Sequence, residues 1–236
     1  MSVFHFKKFS VFQSNSALKV GTDSMLLGSY ISNKDALLGL DIGSGTGVLT
    51  FMVCQIHPNI HVDAIEIDLN SYIDLEINFN NSPYKSRINL IYDDFFKKDF
   101  LKKYDIIFSN PPFYEEEIQI PRKLNYHYKH IINFSKDFFF KKIFKLLNDN
   151  GTVWIIVPFS NSDLWINSAL ENNLFLDKKI DIEGKIGMKI RSILVFSKNQ
   201  NFETFLGSFI IRESDGNYTK EYQNLTKEFH NKIPIK

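Results

Sequence analysis

The chain has 236 residues and a formal net charge of +1, and 44% of its residues are hydrophobic. This length and hydrophobic content are enough for one large core or two small ones. The near-neutral charge argues against a protein that coats nucleic acid by bulk electrostatics, but it allows a local basic patch. Charged residues interrupt every apolar run before the roughly 18 residues that a crossing helix needs, and the first residues lack the order of a signal peptide. We therefore expect a cytoplasmic protein without membrane contact.

The predicted elements begin with an N-terminal extension, residues 1–35, whose alternating aromatic residues precede a short helix capped by Thr22 or Asp23. From residue 36, apolar strands alternate with amphipathic helices, which is typical of a mostly parallel sheet with helices on both faces. The seven predicted strands are 36–42, 62–66, 88–92, 104–109, 152–157, 174–182 and 191–197. The predicted helices between them are 47–57, 69–81, 136–147, which Asn150-Gly151 would stop, and 162–171.

The C-terminal part adds a predicted strand at 205–212 and a helix at 219–232. We expect residues 36–200 to form the catalytic domain and residues 201–236 to continue it. The extension of residues 1–35 is expected to pack over the cofactor site.

A glycine-rich turn, Asp41-Ile-Gly-Ser-Gly-Thr-Gly47, lies where the first strand meets the first helix. Gly43 and Gly45 allow a sharp turn and close approach to a ligand. The dinucleotide pattern needs Gly or Ala in the sixth position from Gly43, but Val48 stands there, so the spacing is G-x-G-x-G. Glu66 ends the second strand about 20 residues later, where a carboxylate reaches both ribose hydroxyls.

The segment from Asp41 to Gly47, with Glu66, resembles the cofactor turn of class I methyltransferases that use S-adenosylmethionine. The resemblance implies a Rossmann-like fold with this cofactor. It extends to Tyr92-Asp-Asp-Phe95, where it implies that Asp94 accepts a hydrogen bond from the adenine amino group and that Phe95 packs on the adenine ring. The alternative is that Asp93 and Asp94 only open a surface loop. Asp68, just before the next helix, is predicted to be its cap.

The motif Ser109-Asn-Pro-Pro-Phe-Tyr114 follows the fourth predicted strand, whose end faces the methyl group if the cofactor lies across strands one to three. An aromatic exocyclic amine resists methylation because its lone pair is delocalised into the ring. The Asn110 side-chain oxygen and the Pro111 carbonyl can accept its two hydrogens and draw the nitrogen toward tetrahedral geometry. Pro111 and Pro112 fix the backbone that aims this carbonyl, and Phe113 can stack on a planar substrate. We predict that these four residues are catalytic and that Asn110 also borders the cofactor.

This N-P-P-F/Y signature resembles that of amino methyltransferases acting on adenine, cytosine, guanine or a glutamine side chain. Two terminal segments narrow the resemblance, Phe6-Lys-Lys-Phe-Ser-Val11 with Leu18-Lys-Val-Gly-Thr-Asp-Ser-Met-Leu-Leu-Gly28, and Ile211-Arg212 with Asn217-Tyr-Thr219 and Tyr222. With these segments, nearly the whole chain is similar to bacterial tRNA(Val) adenine-N6 methyltransferases. This similarity implies methylation of adenosine 37 beside the anticodon. The similarity implies that Lys19, Thr22 and Asp23 border the methionine end of the cofactor. By the residues alone, Lys19 is a surface charge and Thr22 or Asp23 a helix cap.

A basic and aromatic segment, Arg122-Lys-Leu-Asn-Tyr-His-Tyr-Lys-His130, follows the motif and is predicted to grip an unpaired nucleotide of a tRNA anticodon stem-loop. The predicted substrate-binding residues are Phe113, Tyr114, Arg122, Tyr126 and Lys129. Further phosphate contacts could come from Lys7, Lys8, Lys178, Lys179, Lys185, Lys189 and Arg191. No histidine spacing indicates a metal site, and we expect no metal and a monomer.

Three alternatives remain open. A glutamine-N5 methyltransferase acting on a protein translation factor would share both motifs, but such enzymes usually carry a helical domain for which residues 1–35 are too short. A guanine-N2 methyltransferase of ribosomal RNA is closer in chemistry. A non-enzymatic binding module is the third, and the intact Asn110 and Phe113 argue against it.

Overall fold

The computed structural model describes residues 2–16, 19–32, 35–112, 134–200 and 203–230. The strands are β1 (Val3–His5), β2 (Ser10–Phe12), β3 (Leu38–Ile42), β4 (His61–Glu66), β5 (Ile88–Tyr92), β6 (Tyr104–Ser109), β7 (Leu147–Pro158), β8 (Phe175–Lys185), β9 (Lys189–Ser197) and β10 (Phe205–Arg212). The α-helices are α1 (Thr22–Tyr30), α2 (Val48–Ile56), α3 (Leu69–Asn80), α4 (Lys136–Leu146), α5 (Ser162–Glu171) and α6 (Lys220–Thr226). Short 3₁₀ turns occupy Lys85–Arg87 and Phe159–Asn161.

The central sheet has the strand order β10-β8-β9-β7-β6-β3-β4-β5. Its pairs are parallel except where β9 meets β7 and β8. The predicted mostly parallel sheet is therefore confirmed, and the eighth strand is β10, the strand predicted for the C-terminal part. The β1–β2 hairpin forms a separate two-stranded sheet.

Helices cover both faces of the sheet. Side chains of α1 and α2 belong to a core on one face, which also takes in the N-terminal Phe6 and Phe9, while α4 and α5 pack into a second core on the other face. β6 shows the effect of cover on both sides, because Tyr104, Ile106 and Phe108 have no exposed surface. The sequence of a strand that is covered on both faces is a nearly continuous run of apolar residues. This is why β6 could be predicted from its residues.

Three predicted helix ends are wrong, and one of them is the end of α6, which stops at Thr226 instead of residue 232. α1 begins after Gly21, which has extended backbone angles and makes no side-chain cap, so neither Thr22 nor Asp23 is the cap. α4 ends when Leu147 turns extended, and Gly151 lies inside β7 instead of stopping the helix. A Cβ at position 151 would lie 3.0 Å from the Tyr104 carbonyl oxygen, so close packing of the backbones explains this glycine. The predicted cap Asp68 is confirmed, since its Oδ2 accepts from Ser71 N at 2.9 Å.

The N-terminal part is tied to α3 by buried polar contacts. Asp74 accepts from the backbone N–H groups of Asn15 and Ser16, both at 2.8 Å. Asn78 accepts from Phe12 N at 2.7 Å and donates to the Thr46 carbonyl at 2.9 Å, linking the hairpin to the glycine turn. The division at residues 35 and 200 stays a prediction. Within the described ranges, no helix has the length and apolar character needed to span a membrane.

Candidate active site

The carboxyl ends of four parallel strands meet at one edge of the sheet. Ile42 at the end of β3 pairs with Ile65 of β4 and with Ser109 of β6, while Glu66 pairs with Tyr92 of β5. The glycine turn, Glu66, the Asp93–Asp94 pair and Asn110 therefore follow neighbouring strands. This edge is where open α/β sheets bind their ligands, so the structure brings together the predicted residues of the sheet.

The glycine turn has two kinds of glycine. Gly43 and Gly45 have φ of 69° and 56°, a left-handed conformation that favours glycine, and a Cβ on either would meet no atom of the described residues within 4 Å. The space beside them is open, as close approach by a ligand requires. Gly47 also has positive φ, but its Cβ would lie 2.6 Å from Leu75 Cδ1 and 2.8 Å from Phe51 Cε2. Packing therefore accounts for Gly47, and its predicted contact with a cofactor is untested.

Glu66 organises the turn through backbone hydrogen bonds. Its Oε2 accepts from Gly45 N at 2.7 Å, and its Oε1 accepts from Ile67 N and Asp68 N, both at 2.8 Å. Burial raises the pKa of Glu66, and these three hydrogen bonds oppose the rise. A carboxylate has about four acceptor positions, so Oε2 keeps one for a ligand hydroxyl.

Asp41 lies directly beneath the turn and is fully buried. Its Oδ2 accepts from Thr50 Oγ1 at 2.6 Å, whereas its buried Oδ1 has no hydrogen-bond partner among the described residues. Burial, with the charge of Glu66 adding to it, raises the pKa of Asp41 to about 7. A buried acceptor without a partner is unusual and indicates a position for water or ligand.

After β5, the two aspartates and the phenylalanine have different surroundings. Asp94 Oδ1 accepts from Phe96 N at 2.9 Å, so Asp94 also stabilises a turn, as the surface-loop alternative implied. Phe95 is 6% exposed and packs with Phe100 and Phe139 at ring-centroid distances of 6.1 and 5.9 Å. The ring therefore belongs to the core on that face of the sheet, and its predicted packing on adenine stays a prediction.

The end of β6 is fixed to the glycine turn. Ser109 Oγ donates to the Ile42 carbonyl at 2.7 Å, and Pro111 is buried while Pro112 is half-buried. Asn110 Oδ1 is buried and, within the residues that the structure covers, accepts no hydrogen bond. This side-chain oxygen therefore has unused acceptor capacity within the described residues. The predicted residues Phe113, Tyr114, Arg122, Tyr126 and Lys129 lie outside the described residues.

The N-terminal residues that were predicted to border the cofactor differ in their surroundings. Lys19 and Thr22 are exposed, while Asp23 Oδ2 accepts from Arg191 Nε at 2.8 Å. Arg191 of β9 pairs with Pro158 of β7. Pro158 lies three residues beyond Ile155, which pairs with Ser109 at the end of β6. The ion pair therefore lies at the carboxyl edge of the sheet. The sequence gives no signal for this contact between residues 168 positions apart.

Other basic residues predicted for phosphate contact are also engaged. Lys179 pairs with Asp163 at 3.3 Å and Lys189 with Asp181 at 2.9 Å, and Lys7 donates to the Lys227 carbonyl. These partners reduce the positive charge that the sequence assigned to β8 and β9. No group of three or more potential metal ligands occurs in the described part of the chain.

Comparisons with known proteins agree with this architecture. The family model of the methyltransferase small domain matches residues 6–179. The tRNA1(Val) (adenine(37)-N6)-methyltransferase of Flavobacterium psychrophilum is 36% identical over 98% of this chain and 100% of its own length. The enzyme of the same name from Bacteroides thetaiotaomicron is 30% identical over 96% of each chain. The crystal structure of a predicted O-methyltransferase from Agrobacterium tumefaciens superposes with a TM-score of 0.64 at 15% identity, covering 88% of this chain and 96% of that one.

Proposed function

The chain belongs to the methyltransferase small domain family and to the bacterial tRNA1(Val) (adenine(37)-N6)-methyltransferases, and from this membership we propose its reaction. The protein transfers a methyl group from S-adenosylmethionine to the exocyclic N6 of adenosine 37 in tRNA(Val), as its relatives' names state for them. A cytoplasmic location is part of this proposal, because tRNA is the substrate.

The observation that carries the proposal is the buried Oδ1 of Asn110 at the end of β6, which has no hydrogen-bond partner among the described residues. An acceptor in this position can bind one hydrogen of the adenine amine, and the Pro111 carbonyl can bind the other. Two acceptors reduce conjugation of the nitrogen lone pair with the ring, and this benefit is largest in the transition state. The amine needs no strong base, because its proton becomes acidic once the nitrogen is methylated.

The residues at the carboxyl edge fit a nucleoside cofactor with a methionine tail. S-adenosylmethionine supplies an electrophilic methyl group bound to a sulfonium. Glu66 has acceptor capacity left for ribose, Asp94 stands at the end of β5 for the adenine amino group, and open space adjoins Gly43 and Gly45. Ionised Asp41 would favour the cationic end of this cofactor.

The remaining assignments rest on similarity. Lys19, Thr22 and Asp23 would border the methionine end, with Asp23 oriented by Arg191. The substrate base would stack on Phe113, with Tyr114, Arg122, Tyr126 and Lys129 around the anticodon loop. A monomer suffices for this arrangement.

The test is incubation of the protein with methyl-labelled S-adenosylmethionine and unmodified tRNA(Val), followed by nucleoside analysis. We expect N6-methyladenosine with tRNA(Val) and no label in a transcript that carries guanosine at position 37, the position named for the relatives. Label recovered as N2-methylguanosine would favour the ribosomal RNA alternative, and label found only in protein would favour glutamine methylation. Cofactor binding without label in any acceptor would favour a binding module.

A further inference from the structure

A lysine-lined groove runs between residues 94–103 and helix α4, on the face of the sheet opposite α2. Its volume is about 910 Å³, and among the described residues seven lysines and two aspartates line it, a surplus of five positive charges in the lining. The whole chain carries only +1, so this groove concentrates basic residues strongly. It adjoins the cofactor edge at Asp94 but lies outside the cluster of Gly43, Glu66 and Asn110.

The charges of the groove are less neutralised than those of β8 and β9. In the described part of the chain, Lys103, Lys141 and Lys145 make no ion pair, and all three are exposed. Lys102 pairs with the buried Asp63 at 2.9 Å, whereas the contacts of Lys97 with Asp94 and of Lys98 with Asp93 are long, at 3.5 and 3.8 Å. Exposed pairs of this kind stabilise little, so the groove keeps a positive field.

Lys142 fixes the shape of the groove. Its Nζ donates to the carbonyls of Phe96 at 3.2 Å and Lys98 at 2.6 Å, and it lies 5.1 and 5.5 Å from the ring centroids of Phe95 and Phe100. These contacts hold the 94–103 segment against α4, and burial lowers the pKa of Lys142. The groove is therefore a built feature whose walls are joined by hydrogen bonds, and the other lysines project from those walls.

The groove leads away from the catalytic edge. Among the residues that line the groove, Asp94 follows the carboxyl end of β5, and Ser135 caps the start of α4. Lys103 and Leu146 adjoin Tyr104 and Leu147, which pair at the amino ends of β6 and β7. The 11 residues of α4 extend about 16 Å. Phe138, in the first turn of α4, is 62% exposed. An exposed aromatic side chain therefore lies closer to the catalytic edge than Lys141 and Lys145, which follow in later turns of the helix.

We propose that this groove binds the phosphate backbone of the tRNA anticodon arm, with the stem along Lys141 and Lys145 and the loop entering the catalytic edge past Phe138. The inference rests on the proposed function, which supplies the RNA. A row of lysines fits a polyanion, because Lys contacts phosphate as a point charge without reading sequence. An exposed aromatic side chain fits the unpaired bases of a loop. The groove therefore places the arm, and the Asn110 motif selects the base.

The test compares Lys141→Gln/Lys145→Gln with a control of equal charge change, Lys85→Gln/Lys220→Gln, which alters exposed lysines outside the groove. Binding of tRNA is measured by fluorescence anisotropy across salt concentrations. Each lost phosphate contact reduces the slope of log K against log salt by about 0.9, so the groove variant should lose about 1.8 and the control nothing. If affinities converge near 1 M salt, this is roughly 60-fold weaker binding at 0.1 M.

The two proposals fail separately. Equal salt slopes and affinities in the groove variant and its control would overturn the groove, even if the wild type methylates tRNA. A wild type that binds tRNA through the groove yet leaves no methyl group on it would contradict the proposed function alone. For an active enzyme, we expect the groove variant to raise KM for tRNA with kcat and cofactor affinity unchanged, since its lysines lie away from the reacting atoms.

Discussion

Replacing Asp41 with asparagine tests the electrostatics beneath the glycine turn. Burial raises the pKa of Asp41 to about 7, whereas an aspartate in the unfolded chain has a pKa near 3.9. As pH rises from about 4, the unfolded chain releases the proton first, so ionisation of Asp41 lowers the free energy of unfolding until about pH 7, above which the loss is constant. Below pH 4 both states hold the proton and the cost vanishes.

The magnitude follows from the two pKa values. Three pKa units correspond to about 4 kcal/mol above pH 7, and the linkage relation gives about 1.5 kcal/mol at pH 5. Asp41→Asn cannot ionise, and its side-chain oxygen can still accept from Thr50. Its buried NH2 group adds a cost, but this cost does not depend on pH. We therefore expect Asp41→Asn to gain about 2.5 kcal/mol relative to wild type between pH 5 and pH 8.

The assay is urea unfolding without cofactor at several pH values, followed by the fluorescence of the buried Trp154 and Trp165. Taking the difference between variant and wild type removes most contributions of other titrating groups. Asp149→Asn is the control for the loss of one carboxylate, because the Asp149 side chain is 88% exposed. A pH dependence of Asp41→Asn no larger than that of the control would refute the buried-charge reasoning.

Three further predictions concern the same edge of the sheet. Asn110→Ala should reduce kcat at least roughly tenfold, which corresponds to about one to two kcal/mol of barrier. Cofactor affinity and the free energy of unfolding should be retained, because Asn110 Oδ1 has no partner to lose among the described residues. Unchanged turnover would remove Asn110 from the mechanism. Glu66→Gln should weaken cofactor binding in calorimetry, since an amide accepts fewer hydrogen bonds than a carboxylate, and native affinity would contradict the ribose role. Gly47→Ala should cost about 1–2 kcal/mol for its positive φ plus about 1–3 kcal/mol for overpacking, measured by urea unfolding, whereas Gly187→Ala, with φ of 78° and open space around it, should cost the first contribution only.

Much of the architecture could be predicted from local patterns. β5, β6 and β10 have the predicted bounds, although β5 and β10 are the edge strands of the sheet, because each is a short run of mostly apolar residues that polar residues end. The positions of the glycine turn and Asn110 followed from their places after β3 and β6. The wrong predictions concern helix ends, where the same local residues can either continue a helix or adopt an extended conformation.

The sequence alone determined which chemical groups stand at the strand ends, because a parallel α/β fold aligns those ends and short motifs carry their own backbone geometry. Only the tertiary structure decided what surrounds each group. It buried Asp41 without a partner for Oδ1 in the described residues, placed Phe95 in the core, and paired Asp23 with Arg191. It also left Lys141 and Lys145 of α4 exposed and without ion pairs in the described part of the chain, while Lys179 of β8 and Lys189 of β9 pair with carboxylates. Burial and charge pairing depend on residues distant in sequence, and no local pattern contains them.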